Sequence, residues 1–323
     1  MTDSHSLRII FMGTPIFAVA TLKKLVKENY NIVAVVTSAD KPAGRGQQVQ
    51  ESEVKQFAKQ HNIPVLQPEK LKSQEFIEQL KLLNPDLQIV VAFRMLPEVV
   101  WQLPKYGTFN LHASMLPQYR GAAPINHAII NGENQTGVST FFLEQDIDTG
   151  KIIFQEAIPI EPDELAGELH DRMMEIGANL VVRTVAAIGK GEISKISQAD
   201  FIKKGEVLKT APKIFRANCK INWDLDGMAI HNHIRGLSPY PAAWTELHRE
   251  NGEVIALKIH KSKFTPATAN DKVFKAGSII EHFKIYTLTG ILEVLEVQAA
   301  GKKKIKASEF LLGFKFKDGD LFK

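Results

Sequence analysis

Apolar runs of strand length that alternate with stretches of helical periodicity predict an α/β fold: a Rossmann-like, mostly parallel sheet with helices on both faces. Near residue 210 the character changes, and short strands separated by turn residues predict a smaller β-barrel of oligonucleotide-binding-like type. Size points the same way. A chain of 323 residues exceeds one ordinary core, and its 44% hydrophobic and 24% charged content is that of folded domains. Two domains are therefore expected, residues 1–191 and 210–323, with 192–209 as a linker.

The first element is Leu7 to Met12, an apolar run followed by Gly13-Thr14-Pro15. Ile16 to Glu28 has apolar residues at helical spacing and Ile32 to Val36 returns to strand, so the chain opens strand, helix, strand. Gly13 suits a tight strand-to-helix turn, with Thr14 as the expected N-cap and Pro15 as the expected first helical residue. A polar helix from Glu51 to His61, a brief strand Pro64 to Leu66, a helix from Ser73 to Leu83 and the apolar strand Leu87 to Ala92 continue the alternation. Thr108 to His112 is the next strand. Val138 to Leu143 and Ile152 to Ile160 read as a hairpin, and Asp163 to Ile188 as a long helix that ends at Gly189-Lys190-Gly191. Glu192 to Lys209 is a polar connection. Ile221 to Asp226 leads into one helix reaching Arg235, after which Val254 to His260, Val273 to Ile280, Phe283 to Tyr286 and Ile291 to Gln298 supply barrel strands.

A net charge of +4 hides an asymmetry between the two parts. Residues 201–323 hold 21 Lys and Arg against 13 Asp and Glu, a balance of +8, while residues 1–200 hold 19 against 23, a balance of −4. A basic second domain suits a polyanion such as nucleic acid, and it equally suits a solubilising lysine surface. The lone Cys219 excludes an intramolecular disulfide framework and a thiolate zinc cluster built by this chain, so a reducing, cytoplasmic compartment is expected. Runs such as Ile9 to Met12 are too short for a signal sequence or a membrane span. A monomer is the expectation for a polar two-domain chain.

Gly13 after the first strand and Asp40 after the second invite a dinucleotide-binding reading, but the fingerprint fails because Gly13 is the only one of its three glycines present. His231 and His233 diverge on a helix and have no acidic or cysteine partner at ligand spacing, so a surface helix is expected and no metal. Asn110 and His112 are more informative. Two apart on a strand, they project from the same face of the sheet, at the carboxyl end where sites in such folds gather. Asp148, in a turn-forming Asp-Thr-Gly, completes an amide, an imidazole and a carboxylate. Such a set suits acyl transfer to an amine: the amide stabilises an oxyanion, the imidazole moves a proton, and the carboxylate orients or charges the imidazole. Without a persuasive serine or cysteine nucleophile, direct transfer is favoured over a covalent intermediate. Lys41-Pro42-Ala43-Gly44-Arg45-Gly46-Gln47 should form an exposed basic loop, either an ordinary connection or one that grips phosphates.

Asn110-Leu111-His112, Ser114 to Pro117, Tyr119 to Pro124 and Ile147 to Gly150 together resemble the signature of the formyltetrahydrofolate-dependent formyltransferases. Phe11 to Pro15, the Lys41 to Gln47 loop, Ile221 to Asp224 and the basic C-terminal part are similar to the methionyl-tRNA formyltransferase branch, over nearly the whole chain. That resemblance implies transfer of the formyl group of 10-formyltetrahydrofolate to the free amino group of methionyl initiator tRNA, for translation initiation. It implies a catalytic domain at 1–191 and a tRNA-binding β-barrel at 210–323. Asn110, His112 and Asp148 match the catalytic residues, and Ser114, Met115, Leu116 and Pro117 match a folate-contacting loop. Arg45, in the loop that begins at Lys41, matches an arginine that contacts the acceptor stem, so both are assigned to tRNA binding. Ala92-Phe93-Arg94 departs from the Ala-Tyr-Gly more usual at that place, so Arg94 is expected to alter the pocket wall.

Overall fold

The chain begins with β1 (Ile9–Gly13), α1 (Ile16–Lys27), β2 (Ile32–Val36), a small antiparallel pair β3 (Lys41–Ala43) and β4 (Gln48–Gln50), α2 (Glu53–Gln60) and β5 (Val65–Leu66). It continues with α3 (Gln74–Leu82), β6 (Leu87–Val91), α4 (Glu98–Trp101) and β7 (Thr108–His112). β8 (Arg120–Gly121), α5 (Pro124–Ile130), β9 (Gln135–Phe142), β10 (Ile152–Pro159) and α6 (Ala166–Lys190) follow. This computed structural model describes residues 3–43, 48–268 and 275–323. Arg45 therefore lies outside the described residues.

Seven strands make the first sheet, in the order β10-β9-β7-β6-β1-β2-β5. β7, β6, β1, β2 and β5 run parallel, and β9 is antiparallel to β7, which gives the mixed, mostly parallel sheet that the alternation predicts. All five residues of β1 and of β6 are buried, because helices cover both faces of the central strands. Ser52 and Ser73 cap α2 and α3 by accepting from the Lys55 and Phe76 amides. Pro15, not Thr14, occupies the N-cap position of α1, with no side-chain cap, since the helical backbone starts one residue later than expected. Chain order reverses at β1: β2 and β5 are added on one side, β6 and β7 on the other. The carboxyl ends of β1 and β6 thus flank the topological switch point.

The second sheet is antiparallel. After β11 (Thr210–Ala211) and α7 (Gly227–Leu237) come β12 (Ala243–His248), β13 (Val254–Pro266), β14 (Ile279–Ile280), β15 (Lys284–Thr287) and β16 (Gly290–Ala299). β17 (Ile305–Lys306), α8 (Ala307–Gly313) and β18 (Leu321–Phe322) end the chain. Six strands follow the order β14-β15-β16-β13-β12-β18, and β17 pairs with β16 off that path. A bridge from Ser278 to Leu321 joins the two ends into a nearly closed barrel. β13 is 13 residues long, and its register shifts around Lys261, where bulges bend it. Inside lie Leu247, Leu257, Ile259, Phe283, Ile285, Leu292, Val294, Val297 and Phe322.

Two compact bodies result. One comprises the chain up to Gly121 with Gly137–Ile158 and His170–Thr210; the other takes Ala122–Thr136, Pro159–Leu169 and Ala211–Lys323. Segments from the first half enter the second body for a physical reason. Asn126 in α5 donates to the Gly236 carbonyl (2.7 Å), and the buried Arg235 donates to the Glu164 carbonyl (3.2 Å) and to Asn232 (2.8 Å). His231 meets Asp163 at 3.2 Å and Ser262 at 3.0 Å.

Those contacts correct the surface-helix reading of α7, whose His231, Asn232 and Arg235 are all buried. The long helix starts at Ala166 rather than Asp163, because the acidic residues before it make turns in which Glu164 and Glu168 accept from the Glu161 and Leu165 amides. The strand expected from Val273 to Ile280 is, in its described part, strand only over Ile279–Ile280.

Candidate active site

β7 pairs with β6 on one side and β9 on the other, so Asn110 and His112 stand between rigid neighbours on the same face of the sheet. The intervening Leu111 faces the other way, onto Gly177 of α6, where any side chain would collide with it at 2.8 Å. This close helix approach fixes the strand from behind.

His112 is 7% exposed. Its Nε2 lies 2.9 Å from the Tyr119 carbonyl oxygen, which can only accept, so that nitrogen carries the proton. A neutral ring then presents Nδ1 as a lone pair, and Nδ1 faces Asp148 Oδ2 at 3.8 Å. The separation is right for charge pairing and too long for a hydrogen bond. Orientation of the imidazole therefore comes from the backbone of Tyr119, held in a left-handed conformation at φ 60°. The Asp148 carboxylate thus lies beside the ring nitrogen that the Tyr119 carbonyl does not engage.

The Asp148 turn is itself held. Oδ2 accepts from the Gly121 amide at 3.0 Å, and Asp148 has φ 56°. Gly150 has no room for a side chain, since a Cβ would lie 1.7 Å from the Phe142 carbonyl oxygen. Gln198, 3% exposed, donates to the carbonyls of Asp148 (2.8 Å) and Gly150 (2.9 Å) and accepts from Arg120 at 3.0 and 2.6 Å. Sequence reading missed Gln198 because it lies in the stretch read as a polar connection, and nothing local marks it.

Asn110 completes the trio. Its Oδ1 is buried with no hydrogen-bond partner among the described residues, which leaves that acceptor without a structural use there.

The loop after β7 is packed inward. Ser114 is fully buried and donates to the Gln118 carbonyl (2.6 Å), and Leu116, 1% exposed, sits against Phe141 and Ile152. Ser139 donates to the Ser114 carbonyl (2.6 Å) and accepts from the Leu116 amide (3.1 Å); Gln155 donates to the Leu116 carbonyl at 2.8 Å. Pro117 is buried, and Met115 is the one half-buried side chain of the four expected to contact folate. From the connection, Lys209 accepts from the Tyr119 amide (2.7 Å) and its own amide donates to Gln118 Oε1 (2.8 Å), so residues 198–209 clasp the loop.

A cavity of about 530 Å³ opens beyond β1, β2 and β6, lined by Thr14, Ser38, Asp40, Lys41, Phe93 and Arg94 among others. Arg94 ties its wall by donating to the carbonyls of Pro68 and Glu69, the latter at 2.9 Å. Asp40 accepts from Lys55 and Gln67, which together hold its carboxyl below the usual range and leave it engaged by protein rather than by a ribose. Lys41 is exposed at the cavity's edge.

Residues 7–185 match the formyl transferase family model, and residues 213–315 match that of the formyl transferase C-terminal domain. The chain belongs to the formyl transferase family. Relatives called methionyl-tRNA formyltransferase include one from Bacteroides thetaiotaomicron, 49% identical over 98% of both chains. Another, from Azobacteroides pseudotrichonymphae, is 53% identical over 97% of each. Among solved structures, an N-formyltransferase from Helicobacter canadensis in complex with folinic acid and dTDP-3-aminofucose matches with a TM-score of 0.62. It is 21% identical over 92% of this chain and all of its own, a likeness of fold.

Proposed function

We propose that this chain transfers the formyl group of 10-formyltetrahydrofolate to the free α-amine of methionine esterified to initiator tRNA. Near-full-length identity of about half to relatives of that name supports the acceptor. The observation that carries the chemistry is the approach of His112 Nδ1 to the Asp148 carboxylate at 3.8 Å, on the strand that also carries Asn110.

In this reading the neutral amine attacks the formyl carbon, a new carbon–nitrogen bond forms, and the bond from that carbon to the donor nitrogen breaks. His112 Nδ1 takes the proton that the amine sheds and returns one to the departing nitrogen. Asp148 stabilises the cation formed meanwhile, and Tyr119 holds the ring still. Asn110 donates to the oxyanion of the tetrahedral intermediate. Ser114 to Pro117 act through the shape of their loop, with Met115 as the side chain toward the donor.

Catalysis is assigned to residues 1–191, the connection to 192–209 and the RNA grip to 210–323, with Lys41 and Arg45 reaching the acceptor arm. A cytoplasmic monomer completes the reading; among the described residues no helix is long and apolar enough to cross a membrane.

Incubation of the purified chain with labelled formyl donor, charged initiator tRNA and an amino-sugar nucleotide tests the reading. Label is expected in formylmethionyl-tRNA; label found only in the sugar nucleotide would refute it.

A further inference from the structure

The second body has a groove that the proposed chemistry does not use. It holds about 650 Å³ on the outer face of the barrel, and its lining includes Arg216, Tyr240, Trp244, Ala256, Lys258 and Gln298. We propose that this groove seats an unpaired nucleotide of the RNA substrate, an inference that rests on the tRNA reading above.

The barrel's alternation builds it. Along β12 the even-numbered residues point outward, and Trp244 pairs with Lys258 of β13, which pairs in turn with Gln298 of β16. One cross-strand row thus presents an indole, an ammonium and an amide. Trp244 Nε1 donates to the Arg216 carbonyl (3.0 Å), which pins the turn that walls the groove. Tyr240 stands on the rim, 83% exposed. An exposed aromatic of this size beside cations is the arrangement on which unstacked bases lie, because every base offers a π-face.

Charge favours the same occupant. The Arg216 guanidinium lies 5.8 Å from the Trp244 ring centroid, and Lys258 Nζ donates to the Pro241 carbonyl at 3.1 Å with two protons left over. Glu246, the acid next along β12, is paired with Lys220 at 2.7 Å, so its charge is offset. The C-terminal part from residue 201 carries +8 in all. A flanking phosphate is attracted, and an acidic amphipathic surface without a flat ring would leave Tyr240 unused.

Base identity should matter little. Both ends of the Gln298 amide are occupied, its oxygen by His260 Nε2 (3.1 Å) and its nitrogen by the Lys302 carbonyl (2.9 Å), so it has little left with which to read a base edge. The groove selects for a free π-face and an adjoining phosphate.

The test uses the full chain, a labelled short oligoadenylate and a blunt RNA duplex of equal length. Tyr240→Ala, and Ala256→Trp placed on an exposed strand position to fill the groove, should each weaken the single strand about tenfold, the loss of one stacked base. Tyr240→Phe should bind as the parent does, and the duplex should be unaffected throughout. Arg216→Ala should lower the salt slope by about one. In formyl transfer, the two groove variants should raise KM for charged tRNA by a similar factor with kcat unchanged. Parental single-strand binding in both variants, equal weakening of strand and duplex, or loss in Tyr240→Phe would each overturn the proposal, provided circular dichroism shows folded protein. A parent that binds oligoadenylate through this groove yet formylates no tRNA would refute the substrate reading and leave the groove as a nucleotide site.

Discussion

His112 owes its chemistry to a carbonyl seven residues downstream. Because the Tyr119 carbonyl engages Nε2, a neutral ring leaves its lone pair on Nδ1, and in the proposed reaction Asp148 acts on the ring through charge rather than through a hydrogen bond. Sequence expectation left open whether the carboxylate orients or charges the imidazole; the geometry favours the second. Asn110 is the sharper test. If it donates to the oxyanion, Asn110→Ala should lower kcat by about 10²–10³, or about 2.7–4 kcal/mol of transition-state stabilisation. Unchanged turnover in a steady-state assay would remove it from that role.

At the scale of elements, two loops and a connection form one hydrogen-bonded unit. The loop after β7 leans on Ser139 and Gln155 of the two adjoining strands, while Gln198 and Lys209 close over it from the stretch between α6 and β11. Gln198 alone satisfies two carbonyls and a buried part of Arg120. Gln198→Ala leaves these groups unpaired, so urea unfolding should show a loss of about 1–3 kcal/mol. Turnover should fall with it, because the Asp148 turn loses its anchor. A variant with parental stability and turnover would show the clasp to be incidental.

For the molecule as a whole, burial of ionisable groups in the second body sets a pH limit. Burial depresses the pKa of His231, with the Arg235 charge adding to it against Asp163, and burial also depresses His233 and His260. Their folded forms stay neutral while the unfolded chain takes up protons below about pH 6.5. Unfolding is then favoured by acid: stability is full above that value and falls as pH drops from there toward the depressed folded values. Melting curves from neutral pH to about pH 5.5 should show a progressive loss, less steep in His231→Gln. A melting temperature flat across that range would contradict the linkage.

Much of the fold was legible because it is local. Continuous burial shows as an unbroken apolar run in β1 and as one interrupted only by Gln88 in β6, and the period of two that places Asn110 and His112 on one face needs only the strand itself. Elsewhere local signals were weak. β12 alternates buried and half-buried residues yet was not read as a strand, since Trp244, Glu246 and His248 are amphipathic and blur the contrast. α5 and α8, seven residues each, are too short to show a period. The sequence by itself determined the sheet, the barrel, the segment that carries the imidazole and its carboxylate partner, because periodicity and residue chemistry are written in neighbouring positions. Only the tertiary structure decided which ring nitrogen is free, that the serine and leucine of the expected folate loop face inward, that Gln198 holds the Asp148 turn, and that α7 is buried. Each of those depends on a partner tens of residues away or on a backbone carbonyl, and a backbone carbonyl has the same chemistry at every position in the chain.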